Sequence, residues 1–373
     1  MRIGIEAQRL FRPDKHGMEI VTQELIKQLQ LVDQQNEYVL FIKPDCDIVI
    51  SETPNFHIEY LKGSYPVWEQ IRLPRALRNQ HIDFLHCTSN TGPLYTKIPV
   101  MLTLHDIIYL EQVEFKGSAY QNFGNLYRRS VVPGLLKKCR YILTVSEYEK
   151  QVIAEKLPFS RDHLHVVYNG VNPVFRLIDQ AYLKDNISEK YKLPENFYLF
   201  FGNTAPKKNT ERLILGYAAA CLEHPGLGDL VITDYSEELI HKLLHETKYL
   251  PVLRKICVLG HIPHEEIPVF YNLAKIFLYP SIRESFGMPI IEAMACGTPV
   301  ITSNTSSMPE VAADAAELID PFSIEEITMA ILKLDSNTKL YAERIEAGLI
   351  RSRFFSWEKT TLSVLEFYKK MAN

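Results

Sequence analysis

Two glutamates, Glu284 and Glu292, are separated by seven residues around the start of a predicted helix. A polar loop ending at Gly287 leads into that helix, and Pro289 stands in its first turn, where proline is favoured. A glycine loop that feeds a helix N-terminus exposes unpaired N–H groups beside a positive dipole end, which is an anion site. If the segment is helical throughout, the two carboxylates are about 12 Å apart and can accept hydrogen bonds from hydroxyls on either side of a phosphate. The alternative is a solvated helix with two surface glutamates.

A pair of adjacent lysines, Lys207 and Lys208, follows a second strand-like segment that ends at Gly202. Lysines at the carboxyl end of a strand can neutralise phosphate oxygens. The alternative is a solvated basic loop. Gly202 belongs neither to a GxGxxG nor to a GxxxxGK[ST] sequence, so the motifs of dinucleotide dehydrogenases and P-loop NTPases are missing.

Two further sites precede these along the chain. His105 and Asp106 end a predicted strand; a lone histidine is usually a core residue or a surface ring, but the strand end and the adjacent carboxylate favour a functional role. Gly17 lies between the first strand and the first helix, where it could let the backbone approach a ligand or could be a turn glycine.

The elements that position these residues alternate between short apolar strands and helical stretches. This pattern predicts βαβ units, parallel sheets covered on both faces and hence an α/β fold. The alternation pauses once, which predicts a first domain over residues 1–172, a linker region over 173–196 and a second domain over 197–355. The amphipathic segment 356–373 is expected to cross back to the first domain. Ligands of such sheets bind where the strand order reverses, so the cleft between two facing domains is the expected site.

Composition narrows the function classes further. The chain has 373 residues, 46% of them hydrophobic, and a net charge of −4, so a nucleic-acid-binding protein that relies on bulk positive charge is not expected. Six scattered cysteines without CxxC spacing predict small buried residues rather than a zinc site or a disulfide framework. The N-terminus is too short and polar for a signal peptide and no apolar run approaches 18 residues, so a cytoplasmic location is expected.

One basic stretch favours a peripheral contact with the anionic inner membrane surface. Its five cations are Arg128, Arg129, Lys137, Lys138 and Arg140. The alternative is a solvated helix face.

The whole chain resembles a family 4 glycosyltransferase of the GT-B fold, which consists of two doubly wound Rossmann-like domains facing each other across a cleft. Glu284 to Glu292 matches the family's EX7E element, and ACGTPVITSNTSSMPEV follows it. The other matching segments are GNTAPKKN at 202–209, TLHD at 103–106, VVYNGVN at 166–172 and FSWEKT at 355–360. The SNTSSMPEV run looks most like the branch that acts on bacterial polysaccharides.

The resemblance implies a retaining transfer of a hexose, without a metal ion or other cofactor, from a nucleotide sugar to a saccharide or lipid-linked glycan acceptor. A mannose-type sugar and GDP-mannose as donor are favoured. By the same resemblance His105, Glu284 and Lys208 are catalytic, and Gly17 and Asp106 lie on the acceptor side. The donor-binding residues are Gly202, Lys207, Lys208, Glu284, Phe286, Gly287, Met288 and Glu292. The alternatives are a nucleotide-sugar epimerase, which needs no acceptor, and a non-catalytic homologue that binds a sugar nucleotide.

Overall fold

The computed structural model describes residues 1–13, 17–111, 119–179 and 187–372. The chain divides into two compact units. The first unit consists of Met1–Gly170 together with Trp357–Asn373, and the second consists of Val171–Ser356. Each unit is a parallel sheet with helices packed against it.

The first unit contains a seven-stranded parallel sheet in the order β3-β2-β1-β4-β5-β6-β7. The strand order reverses between the adjacent strands β1 and β4. The strands are β1 (Arg2–Glu6), β2 (Glu37–Ile42), β3 (Phe56–Tyr60), β4 (Phe84–Cys87), β5 (Val100–Thr103), β6 (Cys139–Thr144) and β7 (Leu164–Val166).

Helices connect these strands as the alternating pattern predicts. Ser146, for example, caps α6 by accepting a hydrogen bond from the backbone N–H of Glu149, the capping geometry that its sequence indicates. The α-helices are α1 (Gly17–Val32), α2 (Tyr65–Val67), α3 (Leu73–Asn79), α4 (Ile108–Glu111), α5 (Ala119–Leu136) and α6 (Glu147–Lys156). A π-helical stretch, Trp68–Arg72, joins α2 to α3.

The second unit contains a six-stranded parallel sheet in the order β10-β9-β8-β11-β12-β13, which reverses between β8 and β11. The strands are β8 (Phe197–Phe201), β9 (Asp229–Thr233), β10 (Ile256–Leu259), β11 (Ile276–Tyr279), β12 (Val300–Ser303) and β13 (Glu317–Ile319). The helices are α7 (Ile187–Tyr191), α8 (Thr210–Glu223), α9 (Glu237–Leu244), α10 (Ile267–Leu273), α11 (Met288–Ala295), α12 (Met308–Ala312), α13 (Ile324–Ser336) and α14 (Thr338–Ser352).

The last helix, α15 (Trp357–Met371), belongs to the first unit although it follows the second in sequence. Its buried side chains join the core on the face of the first sheet that includes Phe84 and Tyr38. The Tyr368 hydroxyl lies 2.8 Å from His86 Nδ1, and the Tyr368 ring centroid lies 5.2 Å from that of Phe84. Burial of aromatic area, rather than a surface contact, therefore holds this helix on the first unit.

Several elements differ from the sequence-based expectations. Strand β3 is absent from the sequence-based prediction, although its FHIEY sequence alternates apolar and polar residues in the pattern of a half-buried strand. The described parts of the segment expected as a linker, residues 173–179 and 187–196, belong to the second unit and include α7. Cys46 is exposed, whereas Cys87 and Cys139 are buried as expected. Across the described ranges, no helix is both long and apolar enough to cross a membrane.

Candidate functional site

The two loops with the candidate donor residues meet at the reversal point of the second sheet. One loop follows β8 and carries Lys207 and Lys208; the other follows β11 and carries Glu284. The Nζ of Lys208 donates to Oε1 of Glu284 at 2.7 Å, and the Nζ of Lys207 lies 3.6 Å from Oε2 of the same carboxylate. Residues 76 positions apart in sequence thus form one charged cluster at the place where doubly wound sheets bind ligands.

Backbone contacts fix these two loops to each other. Asn209 adopts a left-handed conformation with φ of 62°, and its Nδ2 donates to the carbonyl oxygens of Pro280 (3.1 Å) and Pro321 (2.6 Å). The N–H of Ile282 donates to the carbonyl oxygen of Lys207 at 2.7 Å. A backbone N–H or the buried side-chain amide of Asn209 donates each of these bonds. They therefore hold the lysine loop and the glutamate loop in place before any ligand arrives.

The Lys208–Glu284 pair is largely withdrawn from water. The Glu284 side chain is 12% exposed and that of Lys208 is 23% exposed. Burial raises the pKa of Glu284, but Lys208 and Lys207 outweigh this effect and hold that pKa below its ordinary value, so the carboxylate is ionised at neutral pH. Tyr279 supports the lysine, whose Nζ lies 5.2 Å from the centre of the tyrosine ring.

The helix that begins at Met288 presents its N-terminus beside this cluster. Gly287 is the N-cap residue with φ of 99°, a conformation that favours glycine, and no described side chain caps the helix there. The preceding loop is braced by Ser307, whose single hydroxyl proton is shared between the carbonyl oxygens of Glu284 and Phe286, each 2.9 Å from Oγ. Ser306 Oγ adds a bond to the Glu284 carbonyl oxygen at 2.5 Å. A positive helix end and two lysines thus lie around one carboxylate.

Glu292 lies on the second turn of this helix and is buried, with 8% of the residue exposed. The alternative of a solvated helix with two surface glutamates is therefore wrong. The hydroxyl of Tyr271 donates to Glu292 Oε2 at 3.3 Å. Burial raises the pKa of Glu292 to about 7, because that one bond does not replace the lost hydration of the charged form. The pKa values of the two glutamates are thus shifted in opposite directions. The lysines lower that of Glu284, and burial raises that of Glu292.

Two of the residues expected to bind the donor, Gly202 and Phe286, have packing roles in the second unit. A Cβ at Gly202 would lie 2.5 Å from the carbonyl oxygen of Thr233, so the close passage of the chain past β9 requires glycine there. The Phe286 ring is buried and packs edge-on against Phe355 at 5.4 Å. Met288 is the first helical residue and is half-buried. For Gly202 and Phe286, the protein's own packing accounts for the residue type.

His105 is buried in the first unit, beyond the carboxyl end of β5. Its Nε2 lies 2.9 Å from the carbonyl oxygen of Thr88, which can only accept, so Nε2 carries the proton and Nδ1 is the acceptor nitrogen. Its backbone N–H donates to Asn90 Oδ1 at 2.6 Å. Burial lowers the pKa of His105 below its ordinary value, so the ring is neutral at neutral pH.

The two residues expected on the acceptor side are placed differently. Asp106 Oδ1 accepts a hydrogen bond from the N–H of Ile108 at 3.1 Å and thereby shapes the turn before α4. Gly17 is the first residue of α1 and is exposed, and a Cβ there would meet no atom within 4 Å among the described residues. The rest of the loop before it, residues 14–16, lies outside the described residues.

Three of the five cations expected at a membrane are hydrogen-bonded to backbone carbonyl oxygens. Arg129 Nε, Lys138 Nζ and Arg140 Nη1 donate to the carbonyl oxygens of Tyr109, Leu94 and Met371 at 2.6, 2.6 and 3.3 Å. Leu135 and Leu136, which stand between the cations in sequence, are buried in the core. On the same helix, however, the side chains of Phe123 and Leu126 are exposed.

No cluster of three or more His, Cys, Asp or Glu side chains suited to a metal ion occurs within the ranges that the structure describes.

The polar groups that shape the site were not all evident from sequence. Tyr271 and Tyr279 lie in none of the matching segments, whereas Asn209 ends GNTAPKKN and Ser306 and Ser307 lie in the SNTSSMPEV run, so these two segments could have indicated them.

Comparison with known proteins finds two family models that match the chain. The family model described as Glycosyltransferase Family 4 matches residues 16–175, and the model described as Glycosyl transferases group 1 matches residues 184–350. Among the relatives is the O-antigen chain mannosyltransferase B of Escherichia coli, which is 29% identical over 238 residues. That match covers 63% of this chain and 61% of the relative, so the chain spans less than two thirds of the length of this relative.

Two solved structures share the fold over nearly the full length. Sucrose-phosphate synthase from Thermosynechococcus elongatus has a TM-score of 0.75 at 18% identity, and the match covers 99% of this chain and 98% of that one. Anabaena HepE in complex with UDP and glucose also has a TM-score of 0.75, at 16% identity, covering 99% of this chain and all of HepE. These structures establish the GT-B fold, and the two family models together match most of the chain. The chain therefore belongs to glycosyltransferase family 4.

Proposed function

We propose that this protein transfers a hexose from a nucleoside-diphosphate sugar to a saccharide or lipid-linked glycan acceptor, with retention of anomeric configuration and without a metal ion. The observation that carries the proposal is the cluster of Lys207, Lys208 and Glu284 beside the N-terminus of α11. Two cations and one anion leave a net positive charge, to which the helix end adds about half an elementary charge. A net positive charge at this position attracts the negative diphosphate of the donor.

The reaction breaks the bond between the anomeric carbon and a phosphate oxygen, and the electron pair leaves with the diphosphate. Negative charge thus grows on the diphosphate while the sugar ring becomes positive. Lys207, Lys208 and the helix N-terminus stabilise the leaving group, which is the role a divalent cation would otherwise have. The acceptor hydroxyl forms the new bond to the anomeric carbon, and its proton goes to the leaving diphosphate oxygen, the base that the reaction itself generates.

Glu284 is suited to the sugar because its low pKa keeps it ionised. An ionised carboxylate accepts hydrogen bonds from sugar hydroxyls and favours positive charge on the ring. The same carboxylate is bonded to Lys208 at 2.7 Å, and this bond reduces its nucleophilicity. We therefore assign Glu284 to orientation and charge stabilisation.

Two further assignments concern His105 in the first unit and Glu292 in the second. A neutral His105 does not repel a positive sugar ring, and its Nδ1 can accept a hydrogen bond from a sugar hydroxyl. Glu292, which lies in the second turn of α11, is assigned to the ribose hydroxyls. The assignments of both residues come from the family resemblance, and their ionisation supports them.

A mannose-type sugar and GDP-mannose are the favoured donor. The support is the name of the relative described above, a mannosyltransferase that acts on O-antigen chains. HepE, in contrast, was solved with UDP, so the base is a separate question from the fold. A panel of GDP, UDP, dTDP and ADP in a thermal-shift assay answers it, because a ligand that binds only the native state raises the melting temperature.

The protein can then be assayed for turnover of the preferred nucleotide sugar with and without saccharide acceptors. Glycosyl transfer requires an acceptor and releases the nucleoside diphosphate. A sugar product that forms equally well without an acceptor would favour the epimerase alternative. Binding of a nucleoside diphosphate without turnover under any acceptor would favour a non-catalytic homologue.

A further inference from the structure

The first unit contains a cavity of about 170 Å³ that the proposed donor site does not use. It lies beyond the carboxyl ends of β1 and β2, at the edge of the sheet where doubly wound folds bind ligands. The lining residues are Gln8, Arg9, Arg12, Lys43, Asp45 and Tyr65. Drug-sized ligands occupy about 300–1,000 Å³, so this smaller space suits a single small unit such as one pyranose ring.

Gln8 lines the cavity with a buried carboxamide. The residue is 6% exposed, and its Nε2 has no hydrogen-bond partner within the part of the chain that the structure describes. Its backbone is fixed on both sides, because its N–H donates to Glu6 Oε1 at 3.0 Å and its carbonyl oxygen accepts from the N–H of Lys43 at 3.3 Å. A buried amide N–H without an acceptor costs free energy, and a hydroxyl oxygen of a ligand would remove that cost.

The charges around the cavity are close to balance. Three cations line it, and they stand against four acids, which are Asp45 on the lining and the buried residues Glu6, Glu19 and Glu69 beside Arg9. Burial raises the pKa of Glu6 to about 8 and also raises that of Glu69, so these two acids carry less than their full charge at neutral pH. Among the described residues there is thus no large excess of either charge, which favours an uncharged polar ligand over an anion.

The lining groups are complementary to hydroxyl groups, which both donate and accept hydrogen bonds. The carboxamide of Gln8 has donors and an acceptor, Asp45 has acceptors, and Lys43 has donors. Tyr65 adds a fixed ring, since its hydroxyl oxygen lies 2.6 Å from Thr91 Oγ1. A sugar carries several hydroxyl groups around a ring with apolar C–H faces, so it can use the polar groups and the aromatic ring together.

We propose that this cavity binds one uncharged sugar residue of the acceptor glycan and that Gln8 is a specificity-determining residue for that sugar. The carboxamide donates to the oxygen of one hydroxyl and accepts from a neighbouring hydroxyl, and Asp45 accepts from a further one. This inference rests on the proposed function, because it places a saccharide acceptor on the first unit. An acidic sugar would instead bring its carboxylate close to Asp45, with no additional cation to compensate for it.

The test is a ligand-observed NMR titration with the methyl α-glycosides of mannose, glucose and galactose, and with the anionic methyl α-glycoside of glucuronic acid. Saturating nucleoside diphosphate is present throughout, so that the nucleotide site is occupied. The variants are Gln8→Leu and Asp45→Asn. The matched control is Gln35→Leu, at an exposed glutamine that precedes β2 at the opposite end of that strand.

At least one uncharged glycoside is expected to bind the wild type. The loss of hydrogen bonds should weaken that binding about fivefold or more in each of Gln8→Leu and Asp45→Asn, with no change in Gln35→Leu. The glucuronide should bind the wild type more weakly than the glucoside does. Urea denaturation should show Gln8→Leu to be at least as stable as the wild type, because leucine replaces a buried amide that has an unpaired N–H.

Three results would overturn the proposal. They are a wild type that binds none of the uncharged glycosides, binding that is equal in the wild type and both variants, and a glucuronide that binds more tightly than the glucoside. Affinity for the nucleoside diphosphate alone is expected to be the same in the wild type and in Gln8→Leu. A wild type that binds an uncharged glycoside through Gln8 but binds no nucleoside diphosphate would contradict the proposed function and not the sugar-binding cavity.

Discussion

The buried carboxyl of Glu292 predicts that nucleotide affinity depends on pH in a specific way. With a pKa of about 7 in the free protein, the ionised fraction rises about tenfold between pH 6 and pH 8. Ribose hydroxyls donate hydrogen bonds, so they bind the ionised form better than the protonated one. Affinity for the preferred nucleoside diphosphate is therefore expected to be about tenfold higher at pH 8 than at pH 6, from this group alone.

The Glu292→Gln variant isolates that contribution. Glutamine keeps the volume and can still accept the Tyr271 hydroxyl hydrogen bond, but it has no ionisable proton. At pH 8 the variant should bind the nucleotide more weakly by about 1.5–3 kcal/mol, the usual value for a hydrogen bond to a charged group. The phosphate of the ligand titrates near pH 6 in both proteins, so only the difference between their pH profiles reports on Glu292.

The same variant has an opposite effect on stability. Folding raises the pKa of Glu292 from 4.5 to about 7, so the protonated form is favoured in the folded state. The resulting stabilisation is complete below pH 4.5 and is lost as the pH rises through 7. At pH 8, Glu292→Gln should therefore be more stable than the wild type, by up to about 3 kcal/mol.

Titration calorimetry at pH 6, 7 and 8 and urea denaturation at the same pH values measure both effects. Glu346→Gln, at an exposed glutamate in the interior of α14, is the matched control and should change neither. Parallel pH profiles for wild type and Glu292→Gln would refute the assignment of Glu292 to the nucleotide. Equal stabilities at pH 8 would refute its raised pKa.

Three further predictions concern the metal ion, the glycine at β9 and the membrane. Because Lys207 and Lys208 neutralise the leaving group, EDTA should leave turnover unchanged; activity lost on chelation and restored by a divalent ion would overturn this. In urea denaturation, Gly202→Ala should lower the free energy of unfolding by about 1–3 kcal/mol, because the new Cβ would lie 2.5 Å from the Thr233 carbonyl oxygen. The control Gly260→Ala should be neutral, because its Cβ would meet no atom within 4 Å. Anionic vesicles should co-sediment with the protein at low salt and release it as salt rises, at about 1 kcal/mol for each cation near the surface; binding that is unaffected by charge reversal at Arg128, Arg129, Lys137 and Lys138 would contradict the membrane contact.

The sequence predicts the placement of a site residue best where that residue directly follows a strand. Lys208 and Glu284 each follow a predicted strand, and parallel strands bring their carboxyl ends to one edge, so their proximity could be expected before the structure. The 2.7 Å bond between them could not, because it depends on the adjacency of β8 and β11, which are separated by two other strands in sequence. Strand order requires long-range packing that local patterns do not contain.

Burial was the quantity that the sequence left undetermined. The sequence places Glu292 on a helix but does not determine whether its carboxyl group faces the core or the solvent. Its raised pKa arises from burial of the carboxyl group, which outweighs the opposing hydrogen bond from Tyr271, a residue of α10 that lies in no motif. Gly202 shows the converse: it stands within a family motif, but close packing against Thr233 explains it without a ligand.

The central claim is that Lys207 and Lys208 hold the diphosphate of the donor, and the most direct measurement is nucleoside diphosphate affinity in the Lys207→Gln/Lys208→Gln double variant. Two charge-assisted contacts at about 1.5–3 kcal/mol each correspond to a loss of at least about 100-fold in affinity. Titration calorimetry with the preferred nucleotide should show that loss. The control variant Lys97→Gln, which changes an exposed lysine of the first unit, should bind the nucleotide as the wild type does. A double variant that binds the nucleotide within about threefold of the wild type would contradict the account, because a contact worth even 1.4 kcal/mol changes affinity tenfold.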